Sequence, residues 1–361
     1  MTKIEDGGTL NNGLYHQISK LIDEWMPLHQ GETFDLDIIC RQLEITSRDG
    51  RTQASNKLNN LVRTKILEKN NRIYRPINNN IKYIDWVTSK EDYFKITFPS
   101  NHHPDDETYF QFADAVRISP GSVIVIAGVG NAGKSCFCRN ILWDNMHSIH
   151  SVYFSSETTG AAFKRYADTM KWSSPFNGDG KPVFELVERY RDYQDVIQPD
   201  SLNIIDWLNI ESGEFYRIGI EMQKIKEKIH NGLVVIAIQK DPGKDLGRGG
   251  TFSKELASLY LNLDYDKEHN LNRLTIDKSK EWVGNHDPNN KIYGFEITDY
   301  GTQVANIRDI KKCDGCYGSG KSGKSVCLKC DGVGWINGFR SHKNQQPELM
   351  EASDDSDKLP F

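Results

Sequence analysis

Val123 to Gly128 form an apolar run that leads directly into Gly128-Val129-Gly130-Asn131-Ala132-Gly133-Lys134-Ser135, and a helix-compatible stretch, CFCRNILW, follows. A strand, a glycine loop of this spacing and a helix leave few folds open, because the loop must sit at the carboxyl end of a strand in a helix-covered sheet. The segment matches GxxxxGK[ST] at every fixed position. Its glycines allow backbone N–H groups to turn onto phosphate oxygens, Lys134 can reach the β and γ phosphates, and the Ser135 hydroxyl can ligate Mg²⁺. Nucleotide binding is therefore the first functional expectation.

The remaining chain bounds that expectation. At 361 residues, with 37% hydrophobic and 26% charged content, it has room for two or three globular domains. No apolar run reaches the length of a membrane span, and the N-terminus lacks a signal-peptide pattern, so no membrane partner and a cytoplasmic location are expected. The net charge of −5 argues against a wholly basic nucleic-acid binder but leaves local basic patches open. Cys40, Cys136 and Cys138 lie scattered in apolar stretches and read as buried thiols.

Residues 12–78 read as a separate small domain. Leu14, Ile18, Leu21, Ile22 and Trp25 recur at helical spacing, a second helix fits DLDIICRQL, and ITSRDG reads as a polar turn before a third helix, QASNKLNNLVRTKIL. Two short strands meeting at Asn70-Asn71 complete the pattern. This order resembles a winged helix-turn-helix, which would put Arg51, Lys57 and Arg63 on the third helix and Lys69 and Arg72 on the wing. Those charges suit either a DNA groove or the solvated face of a protein-binding module. Residues 79–107 read as a linker; its His103-Pro104-Asp105 copies a co-chaperone tripeptide but lacks the preceding basic helix.

Over 108–309, the segments SVIVIAG, SVYFSSE, SLNIIDW, LVVIAIQ, SLYLNLD, RLTIDKS and YGFEITD alternate with helical patterns, predicting an α/β fold with a mainly parallel sheet. Four strand ends carry chemistry. The phosphate loop follows the first. Glu157, just beyond the second, can polarise an attacking water; Asp206, at the end of LNIID, can hold Mg²⁺; Gln239 can sense the γ-phosphate.

VYFSSETTGAAFKRYA, the stretch from IIDW to VIAIQ, and KDPGKDLGRGGTFSKELASLYLNL together resemble the RecA-like ATPases, particularly the DnaB-type replicative helicases. The resemblance implies ATP as cofactor with Mg²⁺, with Lys134, Ser135, Glu157, Asp206 and Gln239 in the roles above. It also implies a ring or filament of identical subunits, with Lys278 and Lys280 reaching the neighbour's nucleotide. Lys280 stands where the family commonly has arginine, and an ammonium cannot form a planar bidentate fork. Lys240, Lys244 and Arg248, set among Gly243, Gly247, Gly249 and Gly250, suit a mobile loop tracking single-stranded DNA, although no aromatic stacking platform is evident there. The resulting expectation is a DnaB-like helicase in phage or mobile-element replication, with a recombinase filament or a non-motor nucleotide switch as alternatives.

Cys313-x-x-Cys316 and Cys327-x-x-Cys330 have the spacing of a tetrahedral Zn²⁺ site, and two disulfides are the other arrangement such spacing permits. CDGCYGSG and CLKCDGVG resemble the CxxCxGxG repeats of the DnaJ zinc domain, giving an expected zinc module over 310–338. Its lysines, Lys311, Lys312, Lys321 and Lys324, suit nucleic acid or protein equally. Residues 339–361 read as a disordered acidic tail ending in Phe361. With Asp354, Asp355 and Asp357 it resembles the tip of bacterial single-stranded-DNA-binding proteins, which implies replication or repair proteins as partners; a merely solvated tail is the alternative.

Overall fold

The computed structural model of the chain describes residues 11–29, 31–78, 83, 86, 87, 93–105, 107–210 and 214–337. The acidic tail, with Asp354, Asp355, Asp357 and Phe361, lies outside the described residues. The chain divides into two compact units between Lys90 and Glu91.

The first unit contains α1 (Asn11–Trp25), α2 (Leu36–Gln42), α3 (Arg48–Arg63) and a hairpin of β1 (Leu67–Asn70) and β2 (Ile73–Pro76). Ile18, Ile22 and Trp25 of α1 share an apolar core with Ile39, Leu58, Leu61 and Tyr74. The third helix begins earlier than expected, and Arg48, Asp49 and Gly50, the second half of the ITSRDG turn, form its first turn. The Ser47 hydroxyl caps it by accepting the Gly50 N–H at 3.0 Å. Gly50 is there for close packing, since a Cβ would lie 2.9 Å from Ile45 Cγ2. At the hairpin turn, Asn71 takes the left-handed conformation, with φ of 57°.

The second unit is built on a ten-stranded sheet, ordered β14-β11-β10-β9-β8-β3-β7-β6-β4-β5. Its strands are β3 (Ser122–Gly128), β4 (Ser151–Ser155), β5 (Phe184–Glu188), β6 (Leu202–Asp206), β7 (Leu233–Gln239), β8 (Leu259–Asp266), β9 (Leu271–Ser279), β10 (Ile292–Thr298), β11 (Gln303–Lys312) and β14 (Trp335–Asn337). The helices are α4 (Phe112–Ala115), α5 (Lys134–Asn145), α6 (Gly160–Thr169), α7 (Arg217–Lys228) and α8 (Thr251–Leu256). Strands β3 to β8 run parallel and the others add antiparallel edges, with the phosphate-loop strand β3 between β7 and β8.

Alternation along β3 explains the layering. Ile124 and Ile126 face α5, packing with Phe137 and Ile141, while Val123, Val125 and Ala127 pack with Ile218, Met222 and Ile225 of α7. Both faces are covered, so β3 is buried throughout and its loop is held rigidly at the sheet's carboxyl end. The four-cysteine segment is continuous with this sheet. It fills the connection between β11 and β14, which pair through Ile310–Asn337 and Lys312–Trp335, and contains the two-residue strands β12 (Lys321–Ser322) and β13 (Ser325–Val326).

Candidate nucleotide site and metal centre

The loop Gly128–Ser135 closes onto the amino end of α5. Gly133 has φ of +90°, and a Cβ there would fall 2.2 Å from Ile297 Cδ1, so both conformation and space demand glycine. The Lys134 side chain is buried, and its ammonium donates to Gly128 O at 2.9 Å, Val129 O at 3.0 Å and Gln239 Oε1 at 3.1 Å. Burial pushes its pKa down, while the Asp206 and Glu157 charges oppose that shift. Gln239 thus ties the end of β7 to the loop.

Asp206, at the end of β6, is 4% exposed and forms no ion pair with a described residue. Its carboxylate accepts from Ser135 Oγ at 3.0 Å and from Tyr153 OH at 2.6 Å. Burial raises its pKa, and the Tyr153 and Ser135 hydrogen bonds pull it back. A buried carboxylate beside a hydroxyl, with no cationic side chain in direct contact, offers the hard oxygen donors that Mg²⁺ prefers. Ser135 and Asp206 are the residues that would hold it. Tyr153 was not singled out from sequence; the signal available was a hydroxyl-bearing aromatic at the centre of the strand that pairs with β6.

These groups open on one cavity of about 850 Å³. Gly130, Asn131, Gly133, Lys134 and Ser135 line it, together with Glu157 from beyond β4, Gln239, and Trp207 beside Asp206. Four strand ends therefore meet at one place, and Glu157 stands exposed on its wall. Lys278 and Lys280 do not line this cavity. Lys278 instead donates to Lys254 O at 2.8 Å and Glu255 O at 2.9 Å, capping the carboxyl end of α8, whereas Lys280 is exposed.

Two expected nucleic-acid contacts are corrected. Lys240 is 2% exposed and paired with Asp264 Oδ1 at 2.7 Å, and Lys57 is buried with its ammonium 2.7 Å from Asp23 Oδ2. In both, the lysine is buried and committed to an intramolecular ion pair. Arg51 is bonded to Asp37. Lys244 is exposed, and Arg248 lies 4.8 Å over the Phe215 ring with Asp241 3.3 Å away. The glycine loop is partly packed as well: a Cβ on Gly247 would strike Ile238 Cδ1 at 2.6 Å. Two aromatic side chains that the sequence reading did not single out are exposed near α7: Phe252, which packs against Gly219, at 55%, and Tyr216, preceding α7, at 59%.

The four cysteines Cys313, Cys316, Cys327 and Cys330 are buried and unbridged, and their sulfurs all lie within 4.8 Å of one another. Cys313–Cys327 and Cys316–Cys330 approach to 3.9 and 3.6 Å. A tetrahedron with Zn–S bonds of about 2.3 Å has edges of about 3.8 Å, so the set fits Zn²⁺ and not a pair of disulfides. The two repeats interlock reciprocally: Cys313 N–H donates to Gly334 O and Cys327 N–H to Gly320 O, both at 2.9 Å. Glycine is required at the crossings, since a Cβ on Gly320 would lie 2.0 Å from Gly332 O and one on Gly334 2.5 Å from Gly318 O.

No family model matches the chain, and no curated protein matches it. Among solved structures it is similar to a KaiC-like protein of the hyperthermophilic archaeon Pyrococcus horikoshii, at 16% identity over 59% of this chain and 99% of that one, with a TM-score of 0.43. It is also similar to the RadB recombinase, at 15% identity over 52% of this chain and 90% of that one, with a TM-score of 0.39. Among the described residues, no helix is long and apolar enough to cross a membrane.

Proposed function

We propose that this chain is an oligomeric, Mg²⁺-dependent ATPase acting on single-stranded DNA, a DnaB-like helicase serving replication of a phage or mobile element. The observation that carries the reading is the convergence of the phosphate loop, Glu157 and Gln239 on one cavity, with Asp206 bonded to its Ser135. Lys134 and the loop amides bind the phosphates, Ser135 and Asp206 hold Mg²⁺, and Glu157 orients and deprotonates the attacking water. Gln239, bonded to Lys134 and standing at the head of the β7–β8 connection, reports phosphate occupancy to the loop that carries Lys244 and Arg248. Those two cations follow the DNA backbone while Tyr216 and Phe252 stack on bases. Lys278 and Lys280 act on the nucleotide of a neighbouring subunit, and the acidic tail recruits replication or repair proteins.

Glu157→Gln is the direct test. The variant keeps the shape of the wall and loses the base, so ATP affinity should stay within about threefold of wild type while turnover falls about 10²- to 10⁴-fold. Equilibrium binding of a fluorescent ATP analogue and steady-state phosphate release separate the two quantities. Unchanged turnover would remove Glu157 from the mechanism.

A further inference from the structure

We propose that Arg139 is a second phosphate-reading cation of the nucleotide cavity, an inference that rests on the ATP-site reading above. Arg139 lies on α5, five residues beyond Lys134, and lines the same cavity as the phosphate loop. Helical side chains lean toward the amino end of their helix, which directs this one back toward the loop.

Its charge is felt by Asp206, whose pKa it helps to lower, but no direct ion pair answers it among the described residues. Arg139 is 5% exposed, and no carboxylate of a described residue lies within ion-pair distance. Its Nε–H has no acceptor among the described residues, and Nη2 makes only a long bond of 3.4 Å to Gly301 O. The guanidinium is held in place by Tyr166 of α6, whose ring centroid lies 4.0 Å from Cζ. A buried guanidinium is costly without an anion in direct contact, and Asp206, the buried acid whose charge it feels, is already bonded to Ser135 and Tyr153. A cation with an unused donor, fixed by stacking in the wall of a phosphate site, is suited to a phosphate oxygen. Arg139 therefore reads the phosphate chain from the α5 side while Lys134 reads it from the loop. Through Tyr166 and Gly301 the contact also bears on α6, which follows Glu157, and on the turn between β10 and β11.

The test measures binding of ATP, ADP and inorganic tripolyphosphate by calorimetry to full-length wild type, Lys134→Ala and Arg139→Gln. Arg139→Gln should weaken all three ligands together by about tenfold or more, because a charged hydrogen bond to phosphate is lost whatever the nucleoside. A loss confined to ATP and ADP, with tripolyphosphate unchanged, would move Arg139 to the nucleoside and overturn the assignment; unchanged affinity for all three would overturn it outright. If Arg139→Gln melts below the assay temperature, Arg139→Lys takes its place. It keeps the charge without the fork, and should bind all three ligands with a common, smaller loss. No loss, or a loss for the nucleotides alone, would count against the proposal. The two readings fail separately: wild type that binds no ATP refutes the ATP site, whereas wild type that binds, with Lys134→Ala silent and Arg139→Gln normal, refutes only Arg139.

Discussion

Lys134→Ala should reduce ATP turnover to background, a loss of at least about 10²-fold, as expected when a charge-stabilising donor is removed from a dry site. Lys134 is buried, its ammonium already points at the loop carbonyls and Gln239, and burial makes its charge sensitive to any anion brought near. The alanine variant also removes this donor from Gly128 O, Val129 O and Gln239 Oε1; the two carbonyls keep the Lys240 and Ala132 N–H groups, so the cost falls mainly on Gln239, at about 1–3 kcal/mol if water cannot reach it. A thermal melt is therefore run alongside the assay. A folded variant that retains wild-type hydrolysis would show that the activity resides elsewhere.

Removing the metal from the cysteine cluster should have an effect of similar size on structure. The segment between β11 and β14 has almost no apolar core of its own: its buried cluster is the four cysteines, with Ile336 packed against them. Structural Zn²⁺ contributes about 10–16 kcal/mol of apparent binding energy in small zinc-dependent folds, so an ion held by the four thiolates would take the place of a core here. Purified protein should carry one Zn²⁺ per chain by elemental analysis. Cys327→Ser should lose it and expose the amides of β14 to exchange, while β3 and β7, buried in the parallel sheet, remain protected. A chain that contains no zinc yet keeps the β14 amides protected would contradict the assignment.

The two expectations differ in how plainly the sequence carried them. Strand ends were legible because parallel strands buried on both faces read as continuous apolar runs, and the residue just past each run is where chemistry can sit. Hence Lys134, Glu157, Asp206 and Gln239 could be singled out as strand-end candidates, as could the cysteines, whose spacing is local. β5 escaped notice because, as the edge strand, it mixes exposed and half-buried residues in FELVE. Lys57 and Lys240 were assigned to nucleic acid because their partners are remote in sequence: Asp23 lies 34 residues from Lys57, and Asp264 is met only when β8 folds beside β3. Arg139 was invisible for a related reason. Its lack of a counter-charge depends on the packing of α5 against α6 and the β10–β11 turn, and no spacing rule encodes it.

The most direct measurement is steady-state ATP hydrolysis by the purified full-length protein with and without single-stranded DNA, with Lys134→Ala as the blank. The proposed function predicts Mg²⁺-dependent hydrolysis that rises strongly with DNA and disappears in the blank. Hydrolysis that is equal with and without DNA would contradict a DNA-acting motor and leave a nucleotide switch in its place.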